Sequence, residues 1–341
     1  MRKPLFKIRE DGKYGFMDAS GEVVIEPQYF EAEDFHNGFS KVRFNNRPVP
    51  LDFLGRLLMK RLYNFVGHFE EDLARVQLVN NWGYIDARGN LAIEIQYEEA
   101  ADFSEGKAAV KFNGLYGFID HSGKFLLEPQ FSDAGQFKEQ LAPVSLQGKW
   151  GFIKTNGQFA IEPAWDFCYP FQRDVAVVVK NNQWGLINKS GKILLDPQFD
   201  LSDTLPNGIF FEQMSITVKN GFYGFINQLG KIVIKPEYEF AGDFGEGLAP
   251  VSKSGLSGYV DSKGNLAIPM QFQDAGIFSE GLGQVMKNNR WGYIQTNGEE
   301  AISYQFIQAL PFRDGLAWVA LPGGKWAYIN RSGQFIWQEK D

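Results

Sequence analysis

The chain has 341 residues, 44% of them apolar and 15% aromatic, with 31 phenylalanines, a formal net charge of −7 and a single cysteine, Cys168. The acidic balance argues against general nucleic-acid binding, which relies on clustered Lys and Arg against phosphates. One cysteine excludes an intrachain disulfide, and no stretch approaches the roughly 18 apolar residues of a membrane helix.

Residues 1–11 carry basic side chains but no apolar run of signal-peptide length, so a soluble, cytoplasmic chain is expected. From there an aromatic–glycine pair recurs to the end. The anchors are Tyr14, Trp82, Tyr116, Trp150, Trp184, Tyr223, Trp291 and Trp326, with Pro48 and Ser257 where the aromatic is missing. Successive anchors lie 34 residues apart seven times, 39 apart once (Trp184 to Tyr223) and 35 apart once (Trp291 to Trp326). A fixed period of this length means a repeat architecture, so length is no guide to domain count.

Within a unit the anchor is followed by Gly, an aromatic, an aliphatic residue and often Asp or Asn. Gly then falls at offset seven, from Gly21 through Gly157 to Gly333, even in the two units without the aromatic. Asp-x-x-Gly, as in Asp86 to Gly89, suits a tight turn, because Asp accepts from backbone N–H groups and Gly takes a positive φ. A strand-length apolar run comes next, such as Phe125 to Leu127 or Ile232 to Ile234. Pro then follows at Pro27, Pro129, Pro163, Pro197 and Pro236, where it is expected to stop the strand. A second aromatic (Tyr29, Tyr63, Tyr97, Trp165) leads into a crossing loop with acidic residues and Gly. Leu-Ala-x-Val, as in Leu141 to Val144, is the strand before the next anchor. Gly or Pro intervenes too often, and apolar spacing at three and four is too rare, for helices.

The reading is all-β: a single continuous array over residues 1–341 of about ten three-stranded antiparallel meanders. An open curved solenoid is favoured over a closed or propeller-like ring, because the first strand segment (5–9) and the last (334–337) leave every unit whole in sequence. Two irregularities stand out. The unit at about 43–76 is degenerate, with Pro48 in place of the anchor, and about five extra residues are assigned to 209–216.

Trp82 to Gly89, Trp150 to Gly157 and Phe244 to Val251 resemble the WG-repeat (KWG-repeat) family of bacterial proteins. The resemblance spans essentially the whole chain, apart from Pro48 and Ser257. It implies a binding or scaffold module and brings no shared catalytic residues.

The residues suited to chemistry are sparse. His36, His68 and His121 fall at three different offsets, so the repeat is not expected to bring them together, and no His or Cys pair has zinc spacing. Cys168 lies among aromatics and is expected to be a buried thiol. The acidic pairs Glu70–Glu71 and Glu98–Glu99 show nothing that sets one acid apart from its neighbour. The anchors are expected to form the core, and the second aromatics are the better candidates for exposure.

No enzyme, metal or cofactor is therefore expected. The expected function is an interaction scaffold that binds another protein, with carbohydrate or small-ligand recognition by loop aromatics as the alternative. Nucleic acid and membrane are not expected partners. The candidate contacts are a basic stretch, Arg43, Arg47, Arg56, Lys60 and Arg61, and three residues of the insertion, Phe210, Phe211 and Met214.

Overall fold

Gln147 and Gly148 both take left-handed backbone angles, φ 53° and 77°, the geometry of a tight two-residue hairpin. In the computed structural model, which describes residues 3–58, 60–201 and 210–340, they join strand Leu141–Leu146 to the anchor strand Lys149–Lys154. Leu141 lies opposite Lys154 and Leu146 opposite Lys149. The Gly157 turn then leads into Phe159–Trp165. A two-residue strand, Asp133–Ala134, pairs with Ser145 and Val144 and adds a fourth member that the sequence reading treated as loop. Among the described residues there are ten such sheets and no helix: seven of four strands, two of three and one of two.

The proline does not end the third strand. Trp150 pairs with Trp165 and Phe152 with Ile161, so two steps on the anchor strand face four on its partner. The excess forms a bulge holding Glu162, Pro163 and Ala164, where a residue without an N–H costs no ladder bond. The anchor glycine lies beneath that bulge. A Cβ on Gly151 would sit 2.5 Å from the Ile161 carbonyl oxygen and 2.7 Å from the Pro163 nitrogen. Gly258 has the same close approach, which explains why Gly survives where Ser257 has replaced the aromatic. The degenerate unit follows from the same geometry. Val49 stands in the glycine position, Arg61 stands in the proline position, and among the described residues the third strand shrinks to a single bridge between Leu51 and Leu57.

By contact the chain divides into two compact units. The first comprises Met1–Asp18, Glu22–Asn181 and Ile187–Ile193; the second comprises Ala19–Gly21, Asn182–Leu186 and Leu194–Asp341. In each, the core joins successive repeats. Tyr84, Ile93 and Tyr97 pack with Phe103, Val110 and Ile119 in the first. In the second, Phe225, Ile234 and Tyr238 pack with Phe244, Val251 and Val260. The offset-two aromatic meets the crossing-segment phenylalanine edge-on, as in Tyr84–Phe103 at 4.9 Å and Phe225–Phe244 at 4.9 Å between centroids.

The expected exposure of the two aromatic rows is reversed. Tyr29, Tyr63, Tyr97 and Trp165 are all buried. Of the anchors, Trp150 and Trp184 are buried, whereas Tyr14, Trp82, Tyr116, Tyr223, Trp291 and Trp326 are half-exposed. Tyr29, Tyr97 and Trp165 lie on the third strand itself, opposite the anchor, and turn into the space between sheets.

Candidate interaction surface

Most polar groups that could do chemistry are occupied in holding repeats together. In each crossing segment two adjacent residues take left-handed angles, as Glu139 (φ 54°) and Gln140 (φ 69°) do, and their N–H groups form an anion-binding hollow. The carboxylate of Glu105, one repeat earlier, accepts from both of them. Glu139 does the same for Arg173 and Asp174, and Glu212 for Glu246 and Gly247 at 2.8 and 2.7 Å. The recurrent crossing-loop glutamate is thus a staple between successive repeats. Asn37 breaks the series: its amide donates to the Phe69 carbonyl and to Glu70 instead.

The turn aspartates cap their own turns. Asp86 accepts from the N–H groups of Arg88 and Asn90 and from the Asn90 amide, at 2.8–2.9 Å. Burial works against its carboxylate, but those hydrogen bonds prevail and hold it below the usual range. Asp120, through the Ser122 hydroxyl, and Asp261, through the Asn265 amide, are also held low. As pH falls, the unfolded chain takes up these protons first, so the stability they supply is present above about pH 4 and is lost below it. The urea midpoint is expected to drop between pH 4 and 3, and to drop less in a triple Asp86→Asn, Asp120→Asn, Asp261→Asn variant. Asn already serves the same cap at Asn188, accepting from Ser190 and Lys192. Equal slopes would show that these turns do not carry the acid sensitivity. Asp102 and Asp243, which burial pushes up, are unchanged in both proteins.

Two of the three histidines come together. His36 and His68 lie in the crossing segments of consecutive repeats, with ring centroids 5.1 Å apart. Each histidine faces a glutamate: His36 to Glu70 at 3.0 Å, His68 to Glu33 at 3.7 Å and His121 to Glu71 at 3.1 Å. Burial, with Lys41 nearby, holds the His68 imidazole below its usual range. Among the described residues no three His, Cys, Asp or Glu side chains converge as a metal-ligand set. Cys168 is buried, and burial pushes its thiol well up.

The basic stretch does not form one patch. Arg43 and Arg47 sit at the hairpin end of strand Arg47–Asp52, and Arg56 sits at the other end, where it pairs with Asp52 at 2.6 Å. Six residues at about 3.3 Å each separate the two ends. Arg43 is paired with Glu31 at 2.8 Å. Arg47, Lys60 and Arg61 are exposed and make no ion pair among the described residues.

The insertion also differs from expectation. Phe210 and Met214 are buried at the positions held elsewhere by Phe171 and Val175, and only Phe211 is exposed. The five additional residues therefore fall between Phe199 and Phe210, of which 202–209 lie outside the described residues, as does Ile209 of the expected insertion.

One hairpin tip is anomalous. The first residue of the tip before the anchor strand is Asp11, Asn45, Asn113, Gln147, Asn181, Asn220, Ser254 or Asn288, each with positive φ, but in one repeat it is Val79 at φ 57°. A β-branched residue there costs about 1–2 kcal/mol, and Val79 is 72% exposed, so no burial offsets the cost. Beside it, Phe65 and Trp82 meet edge-on at 5.3 Å, with the Arg75 guanidinium 5.5 and 5.4 Å from the two rings.

A profile of the WG containing repeat matches residues 14–47, 82–116, 116–150, 150–184, 184–211, 223–256, 258–291 and 291–326. The chain belongs to the WG-repeat family. The repeats opening at Pro48 and Trp326 are not matched, the former in keeping with its lost bulge. Among solved structures, a eukaryotic initiation factor aligns over 99% of this chain and 96% of its own, at 10% identity and a TM-score of 0.56. BamB from Moraxella catarrhalis aligns over 79% of this chain and 94% of its own, at 12% identity and a TM-score of 0.45. At these identities the first likeness shows the fold alone, and the second carries no argument. No curated protein sequence matches the chain.

Within this WG-repeat chain, sequence reading found the repeat and missed Val79, Phe65 and the histidine–glutamate pairs. Val79 was legible: aligning the hairpin tips on the anchors isolates it as the one apolar residue. The histidine pairs were not, because they depend on how crossing segments of successive WG repeats lie together.

Proposed function

We propose that this WG-repeat chain is a non-enzymatic scaffold that binds another protein through its repeat surface. The observation that carries the reading is a contrast. The glutamates and turn aspartates are engaged in the fold, whereas Arg47, Lys60 and Arg61, on the repeat that departs from the pattern, face solvent without an ion-pair partner among the described residues. In a chain of net charge −7, exposed cations on one repeat that lack an ion-pair partner among the described residues favour an acidic partner. The carbohydrate alternative is not carried forward, since the loop aromatics it relied on are buried.

The test is affinity capture on the full chain, identification of the retained protein, and titration of that purified protein against wild type and an Arg47→Glu, Arg61→Glu variant. Arg56 is left alone because it belongs to the Asp52 turn. Binding weakened by at least about tenfold, with a shallower salt dependence, is expected. Undiminished binding would remove the basic stretch from the reading. Retention of no protein, with saturable glycan binding instead, would overturn it altogether.

A further inference from the structure

We infer that the hollow formed by the N–H groups of Asn37 and Gly38 binds a carboxylate from outside the chain, the side chain of a glutamate on the protein partner. The source of that carboxylate rests on the scaffold reading above. The repeats themselves show what fills such a hollow. Among the described residues nine crossing segments carry the left-handed pair, from Asn37–Gly38 (φ 48° and 93°) to Asp314–Gly315 (φ 52° and 86°). In six of them a glutamate one repeat earlier accepts from one or both N–H groups, as Glu71 does from Gly106 and Glu246 from Gly281, each at 2.9 Å. The three without an acceptor among the described residues are Asn37–Gly38, Glu71–Asp72 and Glu212–Gln213, and the residue in the glutamate's register is then Lys3, Asn37 or Arg173. Of these three, only Asn37–Gly38 combines a cation in that register with a pair that carries no acid.

The register of Lys3 is fixed by its neighbours. It precedes strand Phe6–Glu10 as Glu105 precedes Ala108–Phe112, and Leu5 packs with Ile25 and Val42. Lys3 and Glu139 line equivalent clefts between repeats, the first with Asp18 and Asp52, the second with Lys154 and Lys189. Asp52 is held by its own turn and by Arg56. Lys3 is exposed and has no ion-pair partner among the described residues. The Asn37 amide is engaged with the next repeat, donating to the Phe69 carbonyl at 3.1 Å and to Glu70 at 3.2 Å, while Glu70 also meets His36 at 3.0 Å. Neither group accepts from the two N–H groups, and the pair is open to solvent, Asn37 exposed and Gly38 half-exposed. Two convergent backbone N–H groups suit one carboxylate, and hydrogen bonds to an ionised acceptor are about twice as strong as neutral ones. The chain fills six such hollows with its own glutamates, so the chemistry that completes this one is a glutamate carboxylate, and Lys3 favours one brought from outside.

The test follows backbone amide signals by NMR on the intact, isotope-labelled chain, titrated with sodium acetate and separately with sodium chloride at matched ionic strength. Acetate is expected to move the Asn37 and Gly38 signals to lower field in a saturable way, and chloride is not. The signals of Glu139 and Gln140, whose hollow Glu105 already fills, are expected to stay in place under both salts. Lys3→Glu supplies the missing staple: the Asn37 and Gly38 signals are expected to start at lower field and to lose their response to acetate. Because that variant adds a contact found in six other repeats, a lost response cannot be put down to misfolding. No saturable shift with acetate, an equal shift with chloride, or an undiminished response in Lys3→Glu would each overturn the inference. The captured partner separates the two readings. It is expected to bind Lys3→Glu at least about tenfold more weakly than wild type. If it binds the variant as tightly, the hollow is not the partner's contact, this inference falls and the scaffold reading stands.

Discussion

Gly151→Ala is expected to lower stability by at least about 3 kcal/mol, enough to prevent folding of a marginal chain. The added Cβ would meet the Ile161 carbonyl oxygen at 2.5 Å and the Pro163 nitrogen at 2.7 Å, both backbone atoms of the bulge that neither rotate away nor compress. Gly148→Ala, three residues earlier, is the control. Gly148 has φ 77° but nothing within 4 Å of an added Cβ, so only the left-handed strain counts, about 1 kcal/mol. Urea titration of the two variants separates the causes. Similar losses would mean that the glycine is needed for its backbone angle alone and that close approach to the bulge is unimportant.

This contrast also marks what the residues reveal by themselves. The 34-residue period, the hairpin turns and the all-β class were legible because each depends on neighbours in sequence: a Gln147-Gly148 tip, an Asp86 cap, a Gly at offset seven. The bulge was not, because it exists only when Phe159–Trp165 lies against Lys149–Lys154 with unequal step counts. Pro163 therefore looked like a strand end when it is the bulged residue of a strand that continues. The insertion was misplaced for a simpler reason. Phe210 follows Phe171 by 39 residues and precedes Phe244 by 34, which puts the additional residues before it. The candidate surface was the least legible. The charged run at Arg43–Arg61 is continuous in sequence, but one strand's length separates Arg43 and Arg47 from Arg56.

Tyr97→Ala is expected to cost about 3–5 kcal/mol, and Trp82→Ala about 1–2 kcal/mol, although Trp82 carries the family signature. The two rings lie opposite one another across the sheet, but Tyr97 is 1% exposed within the core shared with Phe103 and Ile119. Its ring stands edge-on to Phe112 and Phe125, 6.3 Å from each, so truncation opens a cavity that surrounding strands cannot close. Trp82 is half-exposed at the margin of that core, and its truncation loses only this edge packing and its contacts with Phe65 and the Arg75 guanidinium. Chemical denaturation of both variants checks the order; a Trp82→Ala loss equal to that of Tyr97→Ala would return the anchor to the core. The order separates what the repeat requires from what it tolerates. The glycine of the aromatic–glycine pair is fixed by the bulge beneath which it lies, whereas the anchor position differs between repeats, as Trp, Tyr, Pro48 or Ser257, and is half-exposed in six of its eight aromatic forms and buried at Trp150 and Trp184.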